Sequence, residues 1–144
     1  MVVRDYRGDL ITGATASALE GFERALAAFQ SWRGDPARSV AAALEEAPAF
    51  VMAHVLRAYL LVCTRELASV RAAAPVYQNA AKLPANRRER LHLAAIAATL
   101  RDDYEGAKAI LSELLALHPR DALALQVAHA FDYLGGDLAG LRGR

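Results

Sequence analysis

The chain has 144 residues, a formal charge of +1 and a 55% hydrophobic composition, enough for one domain. The near-zero charge gives no field to recruit nucleic acid or acidic lipid. No apolar run approaches the roughly 20 residues of a membrane span, and Arg4, Asp5, Arg7 and Asp9 precede any hydrophobic stretch, so no secretory signal is expected. Cys63 is the single cysteine, so neither an internal disulfide nor a cysteine metal cluster can form.

Helix signals dominate. Residues 1–13 read as an irregular arm containing Gly8, Asp9 and Gly13. Thr15 or Ser17 can cap a first helix whose apolar positions, Ala18, Phe22, Ala25, Leu26 and Phe29, keep a 3.6-residue period, with Glu20, Glu23 and Arg24 opposite. Trp32 reads as a plug between the first two helices. In the turn Gly34-Asp35-Pro36, Asp35 is the natural N-cap and Pro36 the natural first helical residue, because proline has no N–H to leave unpaired there. The stretch from Phe50 to Cys63 is apolar nearly all round and predicts an internal helix. A fourth helix, from about Glu66 to Lys82, contains Pro75, which predicts a kink or break near Ala72. Leu91, Ala94, Ala95 and Ala98 line a fifth helix. After the turn Asp102-Asp103-Tyr104, Ala107, Ile110, Leu111, Leu114 and Leu117 line a sixth, and Asp121 can cap a seventh that ends near Leu134.

Pro48, Pro84 and Pro119 punctuate the chain at intervals of 36 and 35 residues, each after an apolar helical stretch. That period marks an array of helix–turn–helix repeats. The expected fold is all-α: about seven antiparallel helices in an α-α superhelix, with the repeat domain spanning 14–144.

From Leu91 to Asp121 the chain resembles a tetratricopeptide repeat. Leu91, Ala95, Tyr104, Ala107, Leu111 and Pro119 stand in signature positions, with Ala98 where the motif has an aromatic residue and Leu114 where it has alanine. More specifically, the chain resembles the amino-terminal part of the tetratricopeptide repeat protein 38 family. The segments that carry this are Ala47-Pro48-Ala49-Phe50-Val51-Met52-Ala53-His54, Arg87-Arg88-Glu89-Arg90-Leu91-His92 and His118-Pro119-Arg120-Asp121-Ala122-Leu123-Ala124-Leu125. The resemblance covers roughly residues 8–138 and implies a helical-repeat fold truncated relative to that family. It supplies no activity, cofactor or catalytic residue.

In such arrays the first helix of each hairpin lines a concave groove. By register that groove includes Met52, Val55 and Tyr59, then Glu89, His92, Ile96 and Thr99, then Gln126, Ala130 and Tyr133. Arg87, Arg88 and Arg90 beside His92 form a candidate anion cluster at a helix start, weighed against structural pairing of Arg87 and Arg88 with Glu89, Asp102 or Asp103. Val127, Phe131 and Leu134 on an apolar seventh helix predict a covered surface, either a homodimer seam or a contact with family-typical sequence. His54, His92, His118 and His129 lack metal-ligand spacing. Cys63 reads as a small buried hydrophobe. No catalytic, cofactor or metal site is expected. These features point to a non-enzymatic, cytoplasmic interaction scaffold of bacterial composition. Its partner is a protein or peptide, with no membrane or nucleic-acid partner. An enzyme or small-molecule-binding protein, using Tyr59, His92 and the arginine cluster around the groove, is the alternative.

Overall fold

A computed structural model describes residues 3–31, 33–64 and 66–134, with the side chains of Tyr133 and Leu134 excepted. Trp32 therefore lies outside the described residues. Seven helices follow a short hairpin: β1 (Val3–Arg4), β2 (Leu10–Ile11), α1 (Ala16–Ser31), α2 (Pro36–Glu46), α3 (Val51–Val62), α4 (Leu67–Ala81), α5 (Arg87–Leu100), α6 (Tyr104–Leu117) and α7 (Ala122–Leu134). Among the described residues no helix is long and apolar enough to cross a membrane.

Helix starts follow side-chain chemistry. Thr15 Oγ1 accepts from the Ala18 amide at 3.1 Å, Asp35 Oδ1 from Arg38 at 3.2 Å, Asp103 Oδ1 from Gly106 at 2.9 Å and Asp121 Oδ1 from Ala124 at 2.9 Å. Each bond satisfies one of the N–H groups that a helix leaves without an internal acceptor. Asn86 and Glu89 form a reciprocal capping box at α5.

Consecutive helices pack on one another, and α3 also touches α1 and α5. The all-round apolar character of α3 is explained by this central place. Val51, Met52, Ala53, Val55, Leu56, Ala58, Tyr59 and Val62 are all buried, and each large aliphatic side chain removed from water contributes about 1.5–3 kcal/mol. Phe50 meets Phe22 of α1 with ring centroids 5.3 Å apart.

Two expectations need correction. The arm is not irregular. Val3 pairs with Ile11 and Arg4 with Leu10 in an antiparallel hairpin, closed by Asp5 Oδ1, which accepts from the amides of Arg7 (2.9 Å) and Asp9 (3.0 Å). Strands of two residues are too short to show alternation in sequence. Nor does α4 break at Pro75, since one helix runs from Leu67 to Ala81. Pro75 and Arg71, whose carbonyl loses its donor, are both exposed, so water can take the place of the missing bond.

Candidate functional site

On α5, Arg88 and His92 are one turn apart and share a face. Both point at the N-cap of α7. Asp121 Oδ2 accepts from Arg88 Nη1 at 2.8 Å and lies 2.8 Å from His92 Nε2. On the other side of the ring, His92 Nδ1 is 2.8 Å from the Tyr59 hydroxyl of α3. The Tyr59 hydroxyl also lies 3.4 Å from the His92 carbonyl, to which it can donate. Side chains of α3, α5 and the cap of α7 are thereby joined in one chain of bonds, and every member is buried.

The hairpin enters the same region. Asp5 Oδ2 is 3.6 Å from Arg88 Nη2, so the arginine sits between two carboxylates. Glu89, fully buried, accepts from the Thr12 amide (2.9 Å), the Thr12 hydroxyl (2.7 Å) and the Asn86 amide (2.9 Å). Three donors and the positive end of α5 hold its charge without a cation. The hairpin is tied to α1 as well. Glu23, expected on the water-facing side, is buried and accepts from the Tyr6 amide and from Arg7.

Burial by itself would raise the Asp121 pKa. The His92 ring, the Arg88 guanidinium and the Ala124 amide outweigh it, holding the carboxyl well below its ordinary range. Burial, reinforced by the charge of Asp121, pushes the Tyr59 hydroxyl well above its ordinary value. Asp121 is therefore ionised and Tyr59 protonated at neutral pH, and both are buried. They fasten helices together.

That arrangement changes the reading of the expected sites. Tyr59, His92 and Ile96, expected in an open groove, are fully buried, as are Met52, Val55, Glu89 and Thr99. The helices bearing them close on one another, and no groove opens over these residues. Gln126 and Ala130 keep partial exposure, whereas the Tyr133 side chain lies outside those described. The arginine cluster is divided. Arg88 is buried in ion pairs with Asp121 and Asp5 rather than with Glu89, Asp102 or Asp103, while Arg87 and Arg90 face water. Arg87 reaches Glu113 only at 3.8 Å between exposed side chains. Val127 and Phe131 are not an open interface. Both are buried within the chain, Phe131 against the Tyr104 ring at 5.3 Å, because α6 covers that side of α7. The Leu134 side chain lies outside those described.

Two of the remaining histidines have partners. His54 Nε2 meets the Pro48 carbonyl at 2.7 Å, and His118 Nδ1 is 3.4 Å from Asp9. Among the described residues no three His, Cys, Asp or Glu side chains converge as a metal-ligand set. Cys63 is half-buried, and burial pushes its thiol up to about 12, so it carries no thiolate at neutral pH.

Sequence reasoning identified Asp121 only as a cap and missed Asp5 altogether. Their partners are far away in the chain, 33 residues from Asp121 to Arg88 and 29 to His92, and no local pattern encodes such pairs. The Asn86–Glu89 spacing, by contrast, is a legible capping box. Comparison with protein-family models, curated proteins and solved structures returns no match.

Proposed function

We propose that the chain is a non-catalytic scaffold for protein–protein interaction, built as a tetratricopeptide-type array and acting in the cytoplasm. The observation that carries this reading is the use made of the most chemically capable side chains. Tyr59, His92, Asp121 and Arg88 are closed inside the protein, where they tie α3 and α5 to the start of α7. The packing order supports the same reading, with α1 on α2, α3 on α4, α5 on α6, and α3 touching both α1 and α5. So do the signature positions, since Ala95, Ala107 and Leu111 are buried at helix contacts and Pro119 stands in the turn before α7. A small-molecule site around Tyr59 and His92 draws no support from side chains without solvent access.

The partner, a protein or peptide, meets the accessible side of α7, where Gln126 and Ala130 are half-buried and Leu125 is 39% exposed. The test is a photoreactive residue at Gln126 in the full chain, irradiated in the cell that makes it. A single recurrent adduct, competed away by unlabelled chain, is expected. A chain that remains unadducted and elutes at its monomer mass from the same cells overturns the scaffold.

A further inference from the structure

The arm, residues 3–12, is held to the helices largely through its backbone. The Tyr6 amide donates to Glu23 of α1 at 3.0 Å, and the Thr12 amide to Glu89 of α5 at 2.9 Å. The Leu10 carbonyl accepts from the Asn86 side chain at 3.0 Å, and the Thr12 carbonyl from the Val51 amide, the first of α3, at 3.2 Å. Any extended segment can make such bonds, and side chains at particular places select among segments. Selection here falls to Asp5, 3.6 Å from Arg88, to Arg7 on Glu23, and to the Thr12 hydroxyl on Glu89. Apolar burial adds little. Among the described residues of the arm, Ile11 is the one buried apolar side chain, whereas Tyr6 and Leu10 are exposed. Between the hairpin and α1 lies a depression of about 440 Å³, walled in part by Tyr6, Arg7, Arg24 and Ala27.

The seat does not depend on its occupant. Glu89 is held in the capping box with Asn86, and Arg88 by Asp121, bonds in which the arm takes no part. The strands, at two residues each, are too short to keep a hairpin together by themselves. A segment fastened in this way belongs to the low-stability end of a fold and opens without the helices. On opening, the carboxylates of Glu23 and Glu89 meet water or another donor, and the helices keep their own bonds.

We infer that the arm is a strap over a peptide-binding seat, formed by Glu23 and the starts of α3 and α5, and that a partner segment can replace it there. That segment has the arm's chemistry: an extended backbone, a carboxylate to face Arg88, and a hydroxyl beside the amide that reaches Glu89. The closed arm inhibits binding at this edge, and its release exposes the seat. The inference rests on the scaffold reading for the nature of its ligand, a peptide, but uses a surface apart from the accessible side of α7.

Hydrogen exchange on the full wild-type chain is the first test. The amides of Tyr6, Asp9 and Thr12 should exchange together, at least about a hundredfold faster than those buried in α3. Anisotropy of a fluorescent peptide of residues 3–14 then reads the seat. A Thr12→Pro chain, which lacks the amide and hydroxyl on Glu89, should bind the peptide saturably. The wild type should bind at least about tenfold more weakly, because its tethered arm competes at high effective concentration. Adding Glu89→Gln, which keeps the capping box but sets an N–H against the peptide amide, should abolish binding with the circular dichroism spectrum unchanged. Tyr6→Pro, which removes the amide on Glu23 at an exposed side chain, replaces Thr12→Pro if that variant does not fold. Arm amides that exchange no faster than those of α3, no saturable binding by a folded proline variant, or binding that survives Glu89→Gln overturns the inference. Peptide binding without an adduct at Gln126 fails the scaffold contact alone, and an adduct without peptide binding fails the strap alone.

Discussion

Asp121 holds three donors: the Ala124 amide on one oxygen, and Arg88 with His92 on the other. Buried ions held this way depend on one another. Replacing Arg88 by methionine, which fills similar space without charge, takes from Asp121 and Asp5 the guanidinium they share. Urea unfolding of Arg88→Met should show a loss of about 3–5 kcal/mol. The depressed pKa of Asp121 also has a sign that can be checked. A carboxyl bound more weakly by protons in the folded state than in the unfolded state contributes stability above its unfolded value, about pH 4, and loses it as pH falls toward the folded one. The melting midpoint of the wild type should therefore drop on acidification below about pH 4. Asp121→Asn, less stable at neutral pH, should drop by less over the same interval.

The hairpin and its connection to the helices make their own prediction. Gly13 has φ +82°, and a Cβ there would collide with the Ala49 carbonyl. Next to it, Thr12 binds Glu89 through its amide and hydroxyl, and its carbonyl accepts from the Val51 amide at 3.2 Å. Gly13→Ala should cost more than about 1 kcal/mol and raise amide hydrogen exchange at Thr12 and Val51 before that of the α3 interior. The helices were largely legible because their cues are local. Thr15, Asp35 and Asp121 announce starts, Pro36 fits a first turn, and the apolar run of α3 announces burial. Pro75 did not break its helix because the carbonyl it frees belongs to the exposed Arg71, where water can replace the lost bond. The hairpin was not legible, because most of what holds it is on α1, α3 and α5 rather than in its own sequence. For the same reason Tyr59, His92 and Arg88 could be noticed as unusual residues while their joining to Asp121 could not.

Over the molecule as a whole, α7 completes the core rather than offering a seam. Phe131 is 1% exposed and Val127 wholly buried, both within one chain. Truncating Phe131 to alanine should cost about 3–5 kcal/mol in denaturant unfolding and leave the mass by light scattering where the wild type has it. A residue that instead held two copies together would change the mass and spare the unfolding energy. The half-exposed Leu125, in the first turn of the same helix, should tolerate alanine with little effect, within about 0.5 kcal/mol.

The long reach of the arm imposes an order on synthesis. Thr12 must wait for Glu89, 77 residues later, and at about 5–20 residues per second that is a delay of roughly 4–15 s. During that interval α1 to α4 can already pack, while Asp5 and Glu89 have no bonds between their segments to make. The arm's bonds to α5 are therefore made later than its bonds to α1, so that a ribosome paused before Arg88 would carry a chain whose arm is held by Glu23 but not yet by Glu89.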